Sequence, residues 1–196
     1  MNPLRFLADA LGTAARAIPF LRRTQGEERS KLVADLQAIC SRCEDAYAKV
    51  LEGLAPIKES YGNRQNLARD LRAFAADRQT REAFKPTHLC AEVDQFMQRL
   101  ESNVDWLKYS MDLNAIGRVR GAIREMGSFD ATLWDYYDRN TLALDQLATT
   151  LQSQLSAEDL AERMAYARHA VEIFEEDLRE SIVQIRNAKD RVRDLI

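Results

Sequence analysis

Residues 156–196 read SAEDLAERMAYARHAVEIFEEDLRESIVQIRNAKDRVRDLI, and this stretch decides the fold. Its apolar stripe runs through Leu160, Met164, Ala167, Val171, Phe174, Leu178, Ile182, Ile185, Val192 and Leu195. The steps are mostly threes and fours, the period of one face of an α-helix. Ser156 can cap the first turn, and Asp159 holds the acid position of a capping box. Neither Gly nor Pro follows Ser156. The pattern therefore predicts a single rod of roughly 55–60 Å, at about 1.5 Å per residue. A rod of that length cannot bury its own stripe, so other helices must cover it.

The flanking segments supply the cover. Residues 129–155 carry Leu133, Trp134, Tyr136, Tyr137, Leu142, Leu144, Leu147 and Leu151. They are apolar on more than one side, which predicts a central helix. Residues 27–61 repeat the stripe at Leu32, Leu36, Ile39, Cys43, Tyr47, Val50, Leu54 and Ile57. Pro56 is expected to kink that helix, and Gly62-Asn63 to stop it. Residues 64–84 form a third helix, with Leu67, Leu71 and Phe74 on one side and arginines on the other. Residues 89–126 form either one bent helix or two abutting ones, because their register slips near 112–114. Residues 63–85 are net +3 and 157–196 net −3, which predicts that the two segments lie together. The expected architecture is an all-α, elongated bundle of about six long helices in antiparallel up-down packing. Residues 27–196 make the bundle domain, and residues 1–24 an amphipathic N-terminal helix.

Composition agrees. Seven Gly and four Pro in 196 residues leave little turn punctuation, so the elements must be few and long. With 46% apolar residues the chain can fold, and 30% charged residues of mixed sign suit solvated helix faces. A net charge of −3 argues against a dedicated nucleic-acid binder. Three cysteines, an odd count, fit a reducing compartment. Arg5, Asp9 and Arg16 interrupt any signal-peptide core. No run reaches the roughly eighteen apolar residues of a spanning helix. The expected location is cytoplasmic, with a possible peripheral membrane association.

Candidate chemistry is sparse. Cys40 and Cys43 form a CxxC, and His88 and Cys90 follow. The four could in principle make a zinc site, since thiols three apart share one helix face. Both thiols also lie on the core stripe, where free cysteine behaves as a small hydrophobe. They sit more than two turns inside the helix, away from the N-terminal dipole that activates redox thiols. We therefore expect neither metal nor cofactor. A di-iron bundle needs Glu-x-x-His. Lys85 and Tyr166 stand at the Glu positions before His88 and His169. No Gly-rich phosphate loop, Gly-x-Ser-x-Gly elbow or aspartate cluster occurs. No small-molecule substrate is evident, and no catalytic residue is assigned.

Two stretches have properties beyond core-making. In residues 2–23, Leu4, Phe6, Leu7, Leu11, Ile18 and Leu21 build a broad apolar face. Asn2 is placed to cap this helix, Pro3 to open it and Pro19 to end it. A narrow strip of Arg5, Asp9, Gly12, Thr13 and Arg16 lies opposite the apolar face, and residues 1–24 are net +3. Such a helix suits a membrane interface, a partner, or a groove of its own bundle. Trp134, Tyr136 and Tyr137 cannot all point inward from one helix. At least one is expected at the surface as an interface anchor.

Arg163-x5-His169 resembles the Arg-x4–6-His motif of HEPN ribonucleases, which are also helical bundles. That resemblance implies a dimer bringing two His169 imidazoles together for phosphodiester chemistry. Arg81-x6-His88 has similar spacing, and Met164 stands where that family usually carries a polar residue. A bundle led by a functional N-terminal helix is similar in layout to cell-death domains of the HeLo type. The leading expectation is a non-enzymatic helical interaction or assembly module that binds a protein partner or a second copy of itself. Long heptad-like stripes commonly pair as coiled coils. The alternatives are a peripheral membrane-binding or membrane-perturbing bundle acting through residues 2–23, and a HEPN-like ribonuclease.

Overall fold

A computed structural model describes residues 3–21, 26–83, 89–103 and 129–193. Among these residues there are seven α-helices and no β-strand. They are α1 Pro3–Ala17, α2 Gly26–Glu59, α3 Arg64–Ala76, α4 Arg78–Ala83, α5 Leu89–Asn103, α6 Phe129–Gln152 and α7 Ala157–Arg193. The chain is an all-α bundle built on long helices. The bend expected near 112–114, His88 and the cap at Asn2 lie outside what is described, as does the side chain of Cys90.

Several helix ends follow their sequence signals. Pro19 falls in a 3-10 turn, Ile18–Phe20, that ends α1. Asn63, expected only as a stop, caps α3 by accepting hydrogen bonds from the backbone N–H groups of Gln65 and Asn66. Ser156 Oγ accepts from the Asp159 N–H at 3.1 Å and donates to the Asp159 carboxylate at 2.5 Å. Pro56 lies inside α2.

The single helix expected over 64–84 is broken in two at Asp77. Its backbone turns to an extended ψ of 113°, and its N–H bonds to the Phe74 carbonyl. The Asp77 carboxylate then accepts from the N–H groups of Gln79 and Thr80, both at 3.1 Å. An aspartate that can satisfy the first amides of a new turn competes with helix continuation. Replacing Asp77 with alanine is expected to cost about 1 kcal/mol. Urea titration would show a lower midpoint at an unchanged slope, with Asp77→Asn recovering most of the loss.

The packing divides into two units. The first comprises the described parts of Met1–Asp45, Pro86–Leu133 and Glu180–Ile196, and the second those of Ala46–Lys85 and Trp134–Arg179. In the first unit α1 packs on α5. The core gathers Leu7 and Leu11 of α1, Leu32 and Leu36 of α2, Phe96 and Leu100 of α5, and Ile185 and Val192 of α7. In the second unit Tyr47, Leu54 and Ile57 of α2 are buried, as are Leu67, Leu71 and Phe74 of α3. Tyr137, Leu144 and Leu151 of α6 and Val171, Phe174 and Leu178 of α7 complete that core.

Two expectations are corrected. The helix at 129–152 is not apolar all round: its described residues bury one stripe and leave Leu142 53% exposed. The partners of Arg64, Arg72 and Arg81 lie on or just after α6, and Arg69 pairs with its neighbour Asp70. Arg72 pairs with Asp145 at 3.7 Å and bonds Gln152 and Thr149, while Arg81 pairs with Asp138, all on α6. Arg64 donates to the carbonyls of Leu151 and Ser153. Local geometry at a helix C-terminus, where carbonyls lack partners, outcompetes segment-wide net charge.

Candidate interaction face

In the second unit, α7 buries Ala167, Val171, Phe174 and Leu178 along one side. The stripe is fixed from behind. Phe174 meets the Tyr136 ring edge-to-face at 6.2 Å, and the Tyr136 hydroxyl donates to Asp177 at 2.9 Å. Lys58 and Arg179 converge on Glu175, at 2.9 Å and 2.7 Å. Burial pushes the Glu175 carboxyl up, but hydrogen bonds from Lys58 and Arg179, with their charges, hold it below its ordinary value of 4.5. Lys58 of α2 and Tyr136 of α6, which reach acids of α7 from other helices, thus set the rotation of α7 about its axis.

With that rotation set, two large apolar side chains in the second unit's part of α7 point outward. Tyr166 is 59% exposed and Ile173 46%. They are seven residues apart, two helical turns, and share one face. His169 between them is exposed and Ala170 half-buried, while Glu162 and Glu176 are exposed. These residues lie off the core stripe. An apolar residue out of phase with the stripe is the signal by which the sequence alone could have disclosed them.

The residues singled out from sequence are placed as follows. Leu4, Leu7, Leu11, Ile18 and Leu21 are buried within the first unit, and Phe6 is half-buried. The apolar face of α1 is thus used internally, and a membrane contact through it requires α1 to leave the core. Tyr137 is 1% exposed and faces inward, while Tyr136 is half-buried against α7. The packing turns this part of α6 inward. Trp134 lies in α6, and its side chain is outside what is described. Arg163 and His169 are both exposed on α7.

Cys40 and Cys43 are buried in the first unit with free thiols. Burial pushes the Cys40 thiol up to about 12, and raises Cys43 as well. Both are protonated at neutral pH and poorly suited to metal ligation or nucleophilic attack. No group of three or more metal-type ligands occurs among the described residues. No described helix is long and apolar enough to cross a membrane.

The fold and this face define a class: an all-α bundle of long helices whose longest helix presents exposed apolar side chains, Tyr166 and Ile173 in the second unit and Val183 in the first. No family model, no curated protein and no solved structure matches the chain.

Proposed function

We propose that this protein is a non-enzymatic helical assembly module that self-associates through the outer face of α7. The observation that carries this reading is the outward pair Tyr166 and Ile173. Tyrosine and aliphatic side chains held on a rigid helix are what interface centres are made of. A two-fold axis near His169 and Ala170 would set Tyr166 of one copy against Ile173 of the other, and the reverse, in the isologous contact typical of symmetric dimers. Ala170 lets the two helices approach closely. With the axis there, the exposed Glu176 of one copy falls level with the exposed Arg163 of the other, so opposite charges border the contact.

Light scattering across micromolar concentrations tests the reading. The wild-type chain should show a mass above one copy, rising with concentration. Tyr166→Glu with Ile173→Lys should give one-copy mass at unchanged helicity, because neither side chain supports the core. A wild-type mass of one chain throughout would overturn the proposal.

A further inference from the structure

The first unit contains a cleft that its packing does not account for. It has a volume of about 240 Å³ and lies between α1 and α7. Asp9, Gly12 and Arg16 line it from α1, and Gln184, Asn187 and Arg191 from α7. The two sets have the same spacing, i, i+3 and i+7, so each helix offers one straight polar stripe. One turn before each stripe, Arg5 and Glu180 pair at 2.9 Å and tie the helices together. Stepping from that tie along both helices brings Asp9 level with Gln184, Gly12 with Asn187, and Arg16 with Arg191. The two guanidiniums therefore share the far end of the cleft.

Three details give this end its chemistry. Arg16 is steadied by its bond to Thr13 Oγ1 at 3.1 Å. Thr13 is itself buried and donates to the Asp9 carbonyl at 2.9 Å. Arg191 has no ion-pair partner among the described residues. Asp9 lies two turns away, about 10 Å along the helix, which is about one Debye length at 0.1 M salt. Gln184 Oε1 is sealed in the wall without a hydrogen-bond partner, so the polar group this side chain can offer a ligand is its amide N–H2. Gln184, level with Asp9, belongs to the near end, and the far end is closed by the two guanidiniums, which are donors with positive charge.

The floor is the other clue. Gly12 sits mid-helix, where glycine is worse than alanine by roughly 0.5–1 kcal/mol. A Cβ added there would meet nothing within 4 Å. No packing constraint requires glycine, and its effect is to keep the cleft open. We propose that this cleft binds a small-molecule oxyanion, a phosphate or carboxylate, held between Arg16 and Arg191. Guanidinium groups suit such oxyanions because their fork of donors matches two oxygens at once. The same phosphate chemistry could arrive on a soluble metabolite or on a lipid headgroup.

Isothermal titration with inorganic phosphate at low ionic strength, against sodium chloride of equal ionic strength, tests the site. The full chain should bind phosphate in excess of chloride. Arg16→Gln with Arg191→Gln should weaken binding by about tenfold or more, equivalent to about 1.4 kcal/mol. Gly12→Gln should fill the cleft and abolish binding, while melting no lower than wild type because glycine is removed from a helix. Titration with O-phosphoserine and flotation with phosphatidylserine-containing vesicles separate the two sources. Binding of O-phosphoserine alone assigns a soluble ligand, and flotation that free phosphate competes away assigns a headgroup. Absence of phosphate binding above chloride, or undiminished binding by both variants, would overturn the proposal.

Discussion

Truncating Phe174 to alanine should lower the stability of the chain by about 3–5 kcal/mol, the largest effect of any single change considered. The ring is 2% exposed and packs in the second unit's core with Val171 and Leu178. Its loss removes apolar burial, opens a cavity in the core, and deletes the edge-to-face contact with Tyr136. Tyr136 would keep its hydroxyl bond to Asp177 but lose the surface that aligns it. Equilibrium denaturation followed by circular dichroism should show the midpoint falling, with a smaller fall for Phe174→Leu, which retains most of the volume. A loss below about 1 kcal/mol would mean that α7 is not held by this stripe.

The second large effect concerns Glu175. This carboxylate is 8% exposed, and its neighbours Lys58 and Arg179 are cations. Replacing Lys58 with methionine leaves only Arg179 as its partner, and should cost about 1–3 kcal/mol at neutral pH. The acid dependence follows from the direction of the shift. A carboxyl held below 4.5 in the folded chain stabilises it above that value. The contribution disappears as pH falls below 4.5 through the depressed folded value. Asp70 acts in the same sense: Arg69 and then Ser60 hydrogen-bond its carboxylate, and their combined effect outweighs desolvation. Stability should therefore fall on acidification below about pH 4.5. Glu175→Gln should flatten that fall while lowering stability at pH 7. An acid profile identical to wild type in Glu175→Gln would show that the pair contributes nothing to acid lability.

Much of the fold was legible because helix periodicity is local. The stripe from Ala167 to Val192 and the cap at Ser156 were readable residue by residue, as was the end of α1 at Pro19. Each depends only on neighbours within a turn or two. The break at Asp77 was written in the sequence as well, in an aspartate followed three residues later by Thr80. It was masked by an apolar pattern that runs on past it. The candidate interaction face was half legible: Tyr166 and Ile173 are visibly out of phase with the stripe. Their exposure follows from the rotation of α7, which Lys58 and Tyr136 fix from other helices.

What the sequence determined alone is therefore the class, all-α, and the choice of side chains on each helix that must go inside. Backbone hydrogen bonding and side-chain spacing within one helix suffice for that. Tertiary structure alone decided which inward face meets which. It put the apolar side of α1 into a core, turned Tyr137 inward, sent Arg72 and Arg81 to α6, and set Arg16 level with Arg191 across a cleft. Those outcomes depend on contacts between residues far apart in the chain, such as Arg81 with Asp138 or Arg5 with Glu180, where geometry at close range overrides both net charge and amphipathicity.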